Sequence, residues 1–157
     1  MKRILCALTI SLLILVTGCS NTGINLSGNK TLTCTKVETD DDGYKTTDEI
    51  KVTYNSSKVL KADIVSTSET DPEYIDLTIG FANLFKTAFD GIEGIKFEAV
   101  KAAENKMQSI MNIDYETLDI EKIKEAFGDD SDDEFYSKKD FTIDEFKANY
   151  LEEYECK

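Results

Sequence analysis

The feature that most constrains the fold is a change in apolar spacing at Asp71 and Pro72. Before this point apolar residues alternate with polar ones, as in half-buried strands, and after it they recur about every 3.6 residues, as in a helix. The alternating segments lie at 31–38, 48–55 and 58–69. Because an acidic turn separates the first two and a tight turn the last two, a three-stranded meander is predicted.

The helical spacing after Pro72 predicts a main core helix lying across this sheet, capped by Asp71 or a nearby residue. Its predicted buried stripe consists of Tyr74, Leu77, Phe81, Leu84, Phe85 and Ala88, widened by Ile75, Ile79 and Phe89. Gly91 and Gly94 are expected to end the helix. An alternative interpretation has Phe81, Phe85 and Phe89 lining a cavity for a hydrophobic ligand.

A second hairpin and two shorter helices are predicted in the rest of the chain. Alternation resumes at 95–99 and 107–113, and a helical pattern then ends at Phe127. The C-terminal helix, expected to reach about Tyr154, begins with the capping-box spacing of Thr142 and Glu145. The order βββ-α-ββ-α-α predicts one α+β domain with a mainly antiparallel five-stranded sheet and helices packed on one face.

The N-terminal residues have the pattern of a secretory signal. A basic start precedes an apolar run at 4–16, which is shorter than the roughly 20 residues of a membrane-spanning helix. The sequence Val-Thr-Gly-Cys at 16–19 resembles a lipobox. We therefore predict a signal peptide at 1–18, a lipidated Cys19 with a flexible tether at 19–30, and a globular domain at 31–157. The alternative is a secreted protein in which Cys19 occurs by chance.

These boundaries place the protein at the cell membrane, lipid-anchored on the extracytoplasmic face. They also account for two of the four cysteines, because Cys6 leaves with the signal and Cys19 carries the lipid. The remaining pair, Cys34 and Cys156, is predicted to form a disulfide in an oxidising compartment. The alternative is two free thiols.

Charge and composition exclude several functional classes. The formal net charge is −13, and it becomes −15 when Lys2 and Arg3 leave with the signal, so nucleic acid is not an expected partner. The chain has no histidine, which excludes nucleophilic dyads and metal sites that use histidine. It also has no G-x-S-x-G motif, P-loop or dinucleotide fingerprint.

The acidic run at 129–134 is the main candidate metal site, because a hairpin tip already explains the acidic turn at 40–42. Four of its carboxylates are close enough in sequence to bind one hard cation such as calcium, those of Asp129, Asp130, Asp132 and Asp133. With Asp129 as the first ligand, however, Glu134 stands where a calcium-binding loop needs glycine. We therefore interpret the run as a solvated loop, keep calcium as the alternative, and predict no cofactor.

Two stretches resemble the YehR family of small bacterial lipoproteins, a domain of unknown function. They are KVTYNSSKVLKADIVS at 51–66 and IDYETLDIEKIKEAFG at 113–128. The resemblance implies a lipid-anchored domain with a curved sheet and helices. The chain departs from that family in its Cys34 and Cys156 pair and in its acidic loop. The family contributes no catalytic or binding residues.

Together these observations favour an extracytoplasmic lipoprotein anchored to the membrane through Cys19. We expect its acidic domain to be a non-enzymatic module that binds a protein or an envelope component. A carrier of a small ligand or a cation is the alternative, and a hydrolase with a carboxylate-only site is the third hypothesis.

Overall fold

The computed structural model describes residues 28–56, 58–128 and 135–157, which form six strands and three helices. In chain order they are β1 (Lys30–Thr39), β2 (Lys45–Tyr54), β3 (Val59–Glu69), α1 (Ile75–Phe89), β4 (Ile95–Ala103), β5 (Lys106–Asp114), α2 (Ile120–Phe127), α3 (Ile143–Tyr150) and β6 (Glu155–Cys156). The predicted α+β class is confirmed.

The strands form one open antiparallel sheet in the order β4-β5-β3-β2-β1-β6. The predicted count of five strands is one too low, because β6 pairs with β1 through Cys34 with Cys156 and Thr35 with Glu155. The predicted C-terminal helix also ends earlier, at Tyr150. A two-residue strand has no alternation, so its sequence does not distinguish it from the end of a helix.

The strand register places apolar side chains in rows across one face of the sheet. In one row Cys34 lies opposite Ile50, and the row continues through β3 and β5 to Phe97 on β4. Phe89 of α1, Ile123 of α2 and Phe146 of α3 belong to the same buried cluster as these strands. The three helices therefore share this face.

The opposite face of the sheet carries polar side chains. Its central row consists of Thr33, Lys51, Asp63, Asn112 and Lys96. Cross-strand pairs stabilise it, with Lys61 Nζ donating to Asp114 Oδ2 at 2.6 Å and Asn112 Nδ2 donating to Asp63 Oδ1 at 2.8 Å.

Local sequence explains two helix starts but not the third. The predicted capping box of α3 is confirmed, since Glu145 N donates to Thr142 Oγ1 at 3.2 Å and Thr142 N donates to Glu145 Oε2 at 2.8 Å. Asp119 accepts from Lys122 N at the start of α2. The prediction that Asp71 or a nearby residue caps α1 is wrong: the Asp71 carboxylate accepts from Glu73 N in the preceding turn, and Tyr74 at the N-cap makes no capping hydrogen bond through its side chain.

The turn between α1 and β4 depends on Gly94. Its φ is +81°, a left-handed conformation that L side chains rarely adopt, and a Cβ there would lie 2.4 Å from the Leu118 backbone. This close approach brings the segment leading into α2 against the start of β4. Asp119 N donates to Glu93 O at 3.0 Å across the same contact.

Candidate interaction surface

The apolar stripe that the sequence assigns to the core lies on the outside of α1. Its large side chains are exposed by 54% at Tyr74, 59% at Leu77, 61% at Phe81, 65% at Leu84 and 54% at Phe85. The prediction that these residues are buried is therefore wrong. We call them the α1 apolar surface.

The helix packs on the sheet through a different set of residues. Ile75 and Phe89 are buried, Ile79 and Ala82 are half-buried between them, and the main contacts are with β4 and β5. The helix is therefore apolar on two sides, one against the sheet and one facing solvent. A helix with this pattern is normally covered on both sides.

The α1 apolar surface has the spacing of a coiled-coil seam. Its successive apolar residues are three, four and three positions apart, namely Tyr74, Leu77, Phe81 and Leu84. The a and d positions of a heptad repeat alternate with the same spacing. Leu77, Gly80, Phe81 and Leu84 line a shallow depression of about 250 Å³, together with Asp76. Leu77, Gly80, Phe81 and Leu84 occupy positions i, i+3, i+4 and i+7 of the helix. In a coiled coil, four residues with this spacing form the hole that receives a side chain from the facing helix.

Charge is sparse along this helix, although the whole chain carries −13. Within α1 only Asp76 and Lys86 are charged, so the helix itself is neutral. Asp76 Oδ1 lies 3.7 Å from Lys101 Nζ of β4. The surface is thus an apolar patch with one carboxylate at its edge, Asp76, on a strongly acidic protein.

Two concavities lie beside the edge strand β4. The first, of about 520 Å³, is lined by Phe89, Phe97, Lys86 and Glu98 among others. Of the three phenylalanines in the alternative interpretation, Phe89 lines this concavity, whereas Phe81 and Phe85 belong to the exposed surface of α1.

The second concavity, also of about 520 Å³, opens on the polar face of the sheet. Lys61, Asp63, Asn112 and Asp114 line it, and their side chains pair with one another. The hydrogen bond from Lys61 holds the pKa of Asp114 below its usual value. The polar groups of this site are therefore already largely satisfied.

The predicted disulfide is confirmed, with 2.04 Å between the sulfur atoms of Cys34 and Cys156. Nearby, Lys36 pairs with Glu153, and this hydrogen bond is the main reason that the pKa of Lys36 is raised. Burial raises the pKa of Tyr154 to about 12, and its hydroxyl donates to Asp48 at 3.4 Å. These contacts attach the C-terminus to the sheet.

Several predicted sites lie outside the described residues: the signal peptide, Cys19, and the acidic loop with Asp129, Asp130, Asp132 and Asp133. Across 28–56, 58–128 and 135–157, no group of three or more cysteine, aspartate or glutamate side chains is arranged to hold a metal ion. No helix in these ranges has both the length and the apolar character needed to cross a membrane.

Sequence reasoning missed the exposure of the α1 apolar surface and the role of Gly80 in forming its depression. The available signal was the helix itself, because residues 74–89 are apolar around most of the circumference and include only two charges. Such a helix has more apolar surface than one sheet can cover.

No family model matches the chain, and no curated protein matches it. Among solved structures, the E. coli YehR protein, determined by NMR, matches with a TM-score of 0.57 and 16% identity over 82% of this chain and 92% of that chain. An NMR structure of a protein from Streptococcus pneumoniae TIGR4 matches with a TM-score of 0.52 and 16% identity over 100% of this chain and 98% of that chain. At this identity the similarity shows a YehR-like fold and nothing more.

Proposed function

We propose that the chain is an extracytoplasmic lipoprotein, anchored in the membrane through Cys19, whose domain is a non-enzymatic binding module. The α1 apolar surface is its binding site, for a protein or an envelope component. The observation that carries this proposal is the exposure of five large apolar side chains on one helix.

The size of this surface supports a binding role. Three of the five side chains are aromatic, and an aromatic side chain presents roughly 150–250 Å². With the two smaller leucines included, and all five exposed by 54–65%, roughly 500 Å² of apolar area is in contact with water. The largest apolar patch on a typical monomer is about 300–600 Å² and is often functional. The patch on α1 lies towards the upper end of that range and is contiguous along the helix.

The anchor is supported by the lipobox-like sequence at 16–19, and the disulfide suits an oxidising compartment. The predicted tether at 19–30 is short, so the domain cannot lie far from its anchor. The binding surface would then work close to the outer face of the membrane. A partner that is itself in or on the membrane fits this placement best.

Site-specific photocrosslinking in intact membranes tests the binding site. The full chain carries a photoreactive benzoyl-phenylalanine in place of Leu84, and we expect covalent adducts on irradiation because Leu84 is 65% exposed on the surface. A second Phe81→Asp change should abolish them, since a charge in the seam must be desolvated on binding.

The matched control places the same photoreactive residue at Val37, which is 62% exposed on β1 and away from α1. Adducts that are the same at positions 37 and 84, or that persist with Phe81→Asp, would rule out the α1 apolar surface as the binding site. Mass spectrometry of the intact chain, before and after reduction, tests the anchor at Cys19 independently.

A carrier of a small ligand or a cation is the second candidate. The concavity of about 520 Å³ lined by Phe89 and Phe97 favours it, because pockets for small molecules combine apolar walls with a few polar groups. A ligand that binds the folded state raises the melting temperature by mass action. Flat melting curves across a panel of apolar ligands and calcium would remove this candidate.

A further inference from the structure

We propose that the partner of the α1 apolar surface is the same surface on a second copy of this chain, so that two α1 helices pack side by side as a homodimer. This inference rests on the proposed binding function and names its partner. Its evidence is the self-complementary shape of the seam, the position of Gly80 and the distribution of charge.

The seam contains both a projecting side chain and a depression that accepts it. Phe81 projects from the helix, and Leu77, Gly80, Phe81 and Leu84 border the depression of about 250 Å³. In a parallel helix pair an a-position side chain enters a hole formed by these four positions of its neighbour. Phe81 of each copy would thus enter the other copy, which is the reciprocal contact that two-fold symmetry requires.

Gly80 has no explanation within a single copy. It lies inside α1, where glycine costs about 1 kcal/mol relative to alanine. A Cβ at this position would meet no atom within 4 Å, so the packing of the domain does not require its absence. A second helix approaching at Gly80 does require it, because the missing side chain creates the depression.

The charge distribution favours a second copy over a bilayer. Within α1 the positions beside the seam are Thr78, Gly80, Phe85 and Thr87, none of them charged. The one carboxylate at the depression belongs to Asp76, and its Oδ1 lies 3.7 Å from Lys101 Nζ of the same copy, which reduces repulsion between two copies here. Repulsion between the rest of the two chains is screened beyond about 8 Å at physiological salt. Helices that lie in a membrane interface usually carry several Lys or Arg residues, whereas α1 has only Lys86.

The area predicts a weak dimer that membrane anchoring would strengthen. Two patches of roughly 500 Å² bury roughly 1,000 Å² in total, near the lower limit for a specific interface. A parallel pair also has the first described residues of both copies at the same end, as suits two chains tethered to one membrane. Confinement to that membrane raises the effective concentration of one copy around another.

The test is cysteine crosslinking of the full chain in its native membrane. Thr87→Cys places an exposed thiol beside the seam, while Cys34 and Cys156 remain oxidised. With a short bismaleimide we expect a covalent dimer containing two copies of this chain. Val37→Cys, at a position that is also exposed but on another surface, should give only the background that random collisions produce.

The decisive variant is Gly80→Leu in the Thr87→Cys background. It fills the depression, and we expect about a tenfold loss of crosslinked dimer because the projecting Phe81 no longer fits. Gly80→Leu also adds apolar area and helix propensity. If the helices associated non-specifically or inserted into lipid, this variant would therefore increase the yield of crosslinked dimer and not lower it. A melting temperature equal to or above that of the native chain would show that the variant is folded. Phe81→Asp provides a second disruption that does not alter Gly80.

Three results would overturn the inference: no dimer above the Val37→Cys background, an unchanged or larger dimer yield with Gly80→Leu, or dimer that persists with Phe81→Asp. Photoadducts at position 84 to a different molecule, without homodimer, would leave the proposed binding function intact and refute only the second copy. The absence of any adduct and of any dimer would refute both.

Discussion

Removing the disulfide by Cys34→Ala together with Cys156→Ala should lower the free energy of unfolding by about 5 kcal/mol. The two cysteines are 122 residues apart, so the bond closes a loop that contains nearly the whole described domain. In the chain-entropy model a loop of this length restricts the unfolded state by about 5 kcal/mol at 25 °C. Most small domains are stable by only 5–15 kcal/mol, so the loss would be a large part of the total.

The structure also predicts which parts of the domain lose stability when the disulfide is removed. β6 has two residues, and beyond its pairing with Cys34 and Thr35 two hydrogen bonds between the backbones of Thr33 and Lys157, at 3.2 and 2.9 Å, hold the segment. Side-chain contacts from the neighbouring Glu153 and Tyr154 add to them. Without the bond these few contacts should fray, whereas α3 stays packed through Phe146, which is fully buried. The domain should therefore fold without the disulfide, but with a looser C-terminus.

The assay is urea unfolding of the native chain and the double variant, followed by circular dichroism. We expect a lower midpoint and a larger dependence on urea for the variant, because its unfolded state is less compact and exposes more surface. Hydrogen exchange should show faster exchange at Lys157. Equal midpoints, or thiols that react with alkylating agent before any reduction, would refute the reasoning. Glu153→Ala, which removes the pairing with Lys36 and leaves both sulfurs intact, is the control and should change the midpoint little.

Three further predictions concern local features of the fold. Gly94→Ala should destabilise the domain more than Gly91→Ala. Both glycines have a φ near +80°, but only at Gly94 would an added Cβ lie 2.4 Å from backbone atoms. The difference between the melting temperatures of the two variants therefore measures the effect of this clash. Thr142→Ala should cost about 1 kcal/mol in urea unfolding by removing the cap of α3, and Thr142→Ser should restore it. Tyr154 has a folded pKa of about 12, above its ordinary value of 10, so its contribution is complete below pH 10 and lost as pH rises towards 12. Tyr154→Phe should therefore show a weaker loss of stability over that interval than the native chain, and an identical loss would contradict the assignment.

Local sequence was sufficient for much of the fold. Alternation located β1 to β5 within a few residues because each strand has one buried face, as Ile50 and Val52 show on β2. The disulfide followed from eliminating two of four cysteines, and the cap of α3 followed from Thr142 and Glu145. In each case the information lies in a few neighbouring residues or in the chemistry of one residue type.

The tertiary structure decided what depends on a partner elsewhere in the chain. The two residues of β6 become a strand only because β1 and Cys34 lie beside them. The orientation of α1 was not decided locally, since the exposed pair Leu77 and Phe81 has the same spacing of four residues as Ile75 and Ile79 on the side that faces the sheet. Apolar spacing determines that a helix forms and buries a face, but the position of β4 and β5 determines which face it buries. That choice left the α1 apolar surface exposed and made it the candidate site.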